Sequence, residues 1–143
     1  MIQVVIDTNI IISAAISKNG NPAKIVNMAL DKSIQVHYST EMMNEYEEVL
    51  SRSEFSFDSE QQNAFIFGLK KTGIHIDPVV SDVQMSDEDD RIFYDTAKAS
   101  GAILITGNTR HYPNEPFIMT PSDFLSIYES ANKTEEETPV NGA

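Results

Sequence analysis

Cysteine and tryptophan are absent, and basic residues are scarce: 10 Lys and Arg stand against 22 Asp and Glu in 143 residues. The missing thiols exclude disulfides, thiolate zinc sites and cysteine redox chemistry. The shortage of basic side chains sets a net charge of −12 and a pI near 4.4. That balance argues against tight non-specific binding to nucleic acid, which needs many phosphate contacts. Weak transient contact, or a basic partner, stays compatible with it. No apolar run is long enough to span a bilayer and no basic, apolar leader opens the chain, so the expectation is a cytoplasmic protein without membrane attachment. No internal repeat is visible.

What is present suffices for a folded domain. Hydrophobic residues make up 41%, and a chain of this length builds a core without help from disulfides or metal. Strand and helix signals alternate along it. Residues 2–6 read as a strand that runs into a short buried helix at Ile10–Ile16. Asn21 and Pro22 supply a cap and a first helical residue for the next helix. Ile34–Tyr38 reads as a second strand, and Ser39 or Thr40 caps a helix with Met42, Tyr46, Val49 and Leu50 at helical spacing. Ser59 with Gln62 resembles a capping box for a helix that stops at Gly73. Residues 74–80, interrupted by Pro78, are strand or loop. Ser86 or Asp87 caps a helix to about Ser100, Ala102–Thr106 is a buried strand, Phe117–Met119 a short one, and Thr120–Pro121 opens the closing helix. Residues 1–130 thus form one domain, and the polar, acidic stretch 131–143 is expected to be a disordered tail. Strands separated by helices predict an α/β fold, a three-layer αβα sandwich around a central, mostly parallel sheet.

The chemistry concentrates at element ends. Asp7, in Asp7-Thr8-Asn9, ends the first strand, on the edge where ligands bind in open α/β sheets; equally, it can be a plain cap for the helix beginning near Ile10. Glu45 belongs to a run of acids whose ordinary role is a solvated face. At ~100° per residue, however, it falls beside Met42 and Val49 on the border of the apolar stripe, whereas Glu41 and Glu48 rotate away. In Ser86-Asp87-Glu88-Asp89-Asp90, carboxylates favour the positive end of a helix dipole, which accounts for Asp87 and Glu88. Asp90 lies close to Phe93 and nearly in line with Ala97, turned toward the packed side, where an unpaired charge is costly. Such carboxylates repel one another unless a cation sits among them, which points to magnesium or manganese, hard cations that take oxygen ligands.

Order and spacing together resemble the PIN-domain family. Asp7-Thr8-Asn9 is similar to its opening signature, Glu45-Tyr46-Glu47-Glu48-Val49-Leu50 to its helix bearing a Glu ligand, and Asp87 to Phe93 with Ala97 to its third acidic motif. Ala102-Ile103-Leu104-Ile105-Thr106-Gly107-Asn108 resembles the strand that delivers a fourth acid, and Pro121-Ser122-Asp123-Phe124-Leu125 the closing helix. The resemblance covers residues 2 to about 128. It implies a metal-dependent endoribonuclease that cleaves single-stranded RNA, the toxin half of a toxin–antitoxin pair, with a small antitoxin as partner and a homodimeric assembly. It implies Asp7, Glu45 and Asp90 as ligands for Mg²⁺ or Mn²⁺, with Asn108 as a fourth catalytic position. Asn108 departs from the Asp often found there and offers a neutral carbonyl oxygen, a weaker ligand for water or metal. Thr8, Asn9 and Thr106 are expected to position ligands or water. Arg110 and His111, just beyond the strand, are expected phosphate contacts or ordinary surface residues.

Two rivals come from other classes. A haloacid-dehalogenase-like phosphatase also begins with a strand-end Asp and has a later acidic pair, but its chemistry expects Asp where Asn9 stands and Thr where Ile11 stands. A catalytically weak PIN-like scaffold binding RNA or protein accords with the charge of −12 and with Asn108.

Overall fold

The computed structural model describes residues 1–55 and 57–137. Strands β1 (Gln3–Ile6), β2 (Gln35–Tyr38), β3 (Ile74–His75), β4 (Ile103–Ile105) and β5 (Ile118–Met119) form one sheet in the order β3-β2-β1-β4-β5, every pair parallel. The helices are α1 (Thr8–Ile16), α2 (Asn21–Leu30), α3 (Thr40–Leu50), α4 (Ser59–Thr72), α5 (Arg91–Ser100) and α6 (Pro121–Glu137). This is the expected αβα sandwich. Val4, Val5 and Ile6 in the central strand are fully buried, as are Leu104 and Ile105 beside them, because a parallel strand covered on both faces must be apolar throughout. α5 packs across β1, β2 and β4, while α2 and α3 each pack on both α1 and α4.

Register decides what meets at the functional edge. Val4, Val5 and Ile6 pair with Ile103, Leu104 and Ile105, so the next residues, Asp7 and Thr106, emerge side by side at the carboxyl ends of adjacent strands. Backbone bonds continue the ladder one step further, from Asp7 N to Ile105 O and from Thr106 N to Met119 O, both 3.0 Å. The sheet therefore sets the Asp7–Thr106 spacing with its own rigidity.

Several boundaries differ from the expectations, each for a local reason. The first helix begins at Thr8, directly after Asp7, so the turn between β1 and α1 is tighter than the apolar pattern alone implied. α2 is capped by Gly20, with Asn21 as its first residue and Pro22 within the first turn. The cap of α4 is Asp58, whose carboxylate accepts from the Glu60 and Gln61 amides; Gln62 instead donates to the Phe57 carbonyl, so no Ser59–Gln62 box forms. The helix expected from Asp87 to Ser100 is split into a 3-10 turn, Glu88–Asp90, and α5. Strand pairing after Gly73 covers only Ile74 and His75, since Pro78 carries no amide to extend the ladder. α6 runs to Glu137, so the expected tail of 131–143 begins on helix, and residues 138–143 lie outside the described residues.

Two glycines are required where they stand. Gly101 closes α5 at φ 64°, the left-handed conformation that a side chain disfavours. Gly73 ends α4 with φ −86°; there a Cβ would lie 2.7 Å from the Leu69 carbonyl oxygen and 2.8 Å from the Tyr38 ring.

Candidate active site

Asp7 is the cap residue of α1, yet its side chain makes no capping hydrogen bond. The carboxylate, 7% exposed, is turned to other partners. Thr106 Oγ1 donates to Asp7 Oδ2 at 2.8 Å and the Tyr112 hydroxyl donates to the same oxygen at 2.9 Å. A capping role therefore does not explain Asp7.

Glu45 arrives from α3. Its half-buried carboxylate accepts the Thr8 hydroxyl, so the first residue of α1 holds the acid delivered by α3. α3 is itself fixed by Tyr46, fully buried, whose hydroxyl donates to the Ile6 carbonyl immediately before Asp7. Burial raises the Glu45 pKa, and the charges of Asp7, Asp89 and Glu48 add to that, while the Thr8 bond opposes it.

Asp90 comes from a third element, at the junction of the 3-10 turn and α5. It makes no capping bond, and its Oδ2 is buried without a hydrogen-bond partner. The His111 imidazole approaches it with Nδ1 3.8 Å away, too far for a hydrogen bond. Burial, followed by the charges of Asp7 and Asp87, pushes the Asp90 pKa up to about 6; His111 opposes the shift and Glu45 adds to it. The neighbouring acids are engaged locally, since Asp87 caps the Asp89 amide and Glu88 pairs with Arg91 at 2.7 Å. Of this acidic run, only Asp90 is both turned inward and unpartnered.

The remaining expected residues take supporting positions. Asn9 Oδ1 accepts the Gly107 amide at 3.1 Å, joining the loops that leave β1 and β4. The Asn108 amide donates to Thr106 Oγ1 at 3.0 Å, while the residue itself is exposed at the start of a 3-10 turn, Thr109–His111. Arg110 and His111 lie on that turn, both exposed. Thr8 and Thr106 touch the acids directly, so in this structure they orient carboxylates. Sequence reasoning passed over Tyr112 and the phenol of Tyr46. Tyr112 follows the Arg110–His111 pair in a turn with no periodic signal, and Tyr46 reads in the sequence as one more residue of the apolar stripe.

The electrostatics describe mutual repulsion, with the Asp7 charge raising the pKa of both Glu45 and Asp90. An orphaned buried carboxylate oxygen among like charges fits the donor chemistry of a hard divalent cation. Among the described residues, however, no three acidic or imidazole side chains already form a group that could hold an ion. An ion held by Asp7, Glu45 and Asp90 would have to draw these carboxylates together.

The family model described as PIN domain matches residues 3–110. A protein of Methanocaldococcus jannaschii, named uncharacterized protein MJ1680, is 32% identical over 110 residues, covering 75% of this chain and 71% of the other. Among solved structures, VapBC2 from Rickettsia felis, described as bound to a DNA fragment from the promoter, aligns with a TM-score of 0.53 at 17% identity. That alignment covers 83% of this chain and 97% of the other, and it supports the fold.

Proposed function

Because the chain belongs to the PIN-domain family, we propose that it is a metal-dependent endoribonuclease acting on single-stranded RNA, the toxin component of a toxin–antitoxin pair. The observation that carries this reading is the convergence of Asp7, Glu45 and Asp90, from three separate elements, on one sheet edge with an unpartnered Asp90 oxygen. These three residues are the proposed ligands, and Asn108 supplies a neutral oxygen beside them. When bound, magnesium or manganese supplies charge neutralisation at the scissile phosphate and a more acidic water.

The chain's own residues perform the rest. Thr8 orients Glu45, Thr106 orients Asp7, and Asn9 fixes the Gly107 backbone so that Asn108 leaves the strand in a set direction. His111 sits exposed with Nδ1 3.8 Å from Asp90 Oδ2, and Arg110 precedes it on the same turn; both are proposed to contact the RNA phosphates flanking the cut. With so few cations and a charge of −12, the grip on RNA is brief, which suits a nuclease that must release product. A small basic antitoxin is the proposed partner, since it complements that charge. A homodimer is proposed on the family resemblance.

The assay is cleavage of a single-stranded RNA with added manganese, with and without Asp90→Asn, alongside a phosphomonoester substrate. Manganese-dependent RNA cleavage that Asp90→Asn removes supports the proposal; hydrolysis of the monoester alone contradicts it. A second reading, the non-catalytic scaffold, draws on the exposed neutral Asn108 and the absence of a ready-made metal cluster among the described residues. Intact RNA at every manganese concentration would favour it.

A further inference from the structure

Tyr112 lies outside every acidic motif, yet it makes one of the most buried polar contacts in the molecule. The residue is 7% exposed, and Asp7 and Thr106 beside it are 7% and 0% exposed. The phenol and the Thr106 hydroxyl both end on Oδ2 of Asp7. Thr106 Oγ1 also accepts the Asn108 amide, so its single hydrogen is committed to the carboxylate. The result is a continuous chain: Asn108 N–H to Thr106 O–H to Asp7 Oδ2, met from the other side by Tyr112 O–H. Neither donor bonds to Oδ1.

We propose that Tyr112 is a positioning residue which, with Thr106, clamps one oxygen of Asp7 and reserves the other for the divalent cation. The inference rests on the metal-site reading above and adds a residue to it. Two hydrogen bonds to one carboxylate oxygen fix the torsion of a short side chain, and bonds to a charged acceptor are roughly twice as strong as neutral ones. A tether serving stability alone needs only one of them, because β1 and β4 are already joined by the ladder and by the Asn9–Gly107 bond. The phenol also anchors the stretch that carries Arg110 and His111, since the Tyr112 amide closes that turn onto Thr109 O at 3.2 Å.

The test is manganese binding by wild type, Tyr112→Phe, Thr106→Val and Thr106→Ser, measured by calorimetry and by the electron paramagnetic resonance signal of free manganese. Tyr112→Phe keeps the ring, and residues that orient metal ligands typically change affinity ~10–100-fold. Accordingly, Tyr112→Phe and Thr106→Val each weaken binding by roughly tenfold or more, and Thr106→Ser, which restores the hydroxyl, recovers most of what Thr106→Val loses. Wild-type affinity retained in Tyr112→Phe overturns the positioning role alone. A wild-type protein that binds no manganese overturns it together with the metal site. Should Tyr112→Phe fail to fold, the Val and Ser pair at Thr106 decides by the same criterion: equal affinities overturn the clamp.

Discussion

The Thr8 hydroxyl donates to Glu45 across 37 positions of sequence, so α1 and α3 share the task of presenting an acid at the edge of β1. This contact makes the acid's position depend on a neutral residue. Thr8→Val preserves shape and removes the donor. It is expected to weaken manganese binding by roughly ten- to a hundredfold while lowering stability by only about 1 kcal/mol. Calorimetry and denaturant unfolding of the one variant separate the two effects. Equal affinity with lowered stability would reduce the contact to packing.

Tyr46 performs the corresponding work in the core. Its phenol donates to the Ile6 carbonyl, one residue from Asp7. Tyr46→Phe leaves a buried carbonyl short of one partner and is expected to cost about 1–2 kcal/mol, visible as a lower urea midpoint. An unchanged midpoint would mean that the carbonyl is satisfied without the phenol.

Gly73 terminates α4 for a steric reason that differs from the usual left-handed stop. Its Cβ would meet both the Leu69 carbonyl and the Tyr38 ring, of which only the ring can yield. Gly73→Ala is expected to destabilise by roughly 1–3 kcal/mol, the ordinary cost of overpacking. A neutral or stabilising result in thermal unfolding would contradict the close approach.

The pH dependence has a definite sign. Asp90 titrates at about 6 in the fold against an ordinary 3.8, so the folded state holds its proton more tightly than the unfolded chain. Its contribution to stability is present below pH 3.8 and is lost as pH rises through about 6. Asp90→Asn removes that loss without removing a cap, since Asp90 makes no capping bond. In metal-free solution the variant should therefore gain on wild type between about pH 4 and pH 6, then hold a lead of at most roughly 3 kcal/mol. Unfolding of both proteins across roughly pH 3.5 to 7.5 is the measurement, and parallel curves would contradict the raised pKa that burial and the neighbouring charges produce.

Where the acids of the candidate site lie was largely legible in the sequence because each is tied to a periodic element. Asp7 sits where an apolar run ends, Glu45 falls on the stripe border by helical rotation, and Asp90 turns inward while Asp87 and Glu88 serve the helix start. What lay beyond reach depends on long-range register and on irregular turns. The Tyr112–Asp7 bond spans 105 positions and forms only because β1 and β4 end level and the 109–111 turn swings the phenol back. The Gly20 and Asp58 caps were displaced by one residue for a smaller reason: Asn21 is a better cap former than Gly20 and Ser59 is as good as Asp58, and only backbone geometry chooses between neighbours.

At the centre stands one claim, that the three carboxylates form a divalent-cation site whose repulsion the ion relieves. Its most direct test is calorimetric titration of manganese into metal-free wild type and Asp90→Asn near pH 7, with thermal unfolding of both in the same buffers. Wild type is predicted to bind saturably, with stability rising by about 2.7 kcal/mol at a free concentration of roughly 100 Kd. The variant is predicted to melt at least as high without metal yet to gain nothing from it. A wild-type protein that gives no binding heat and a melting temperature indifferent to millimolar manganese would contradict the claim.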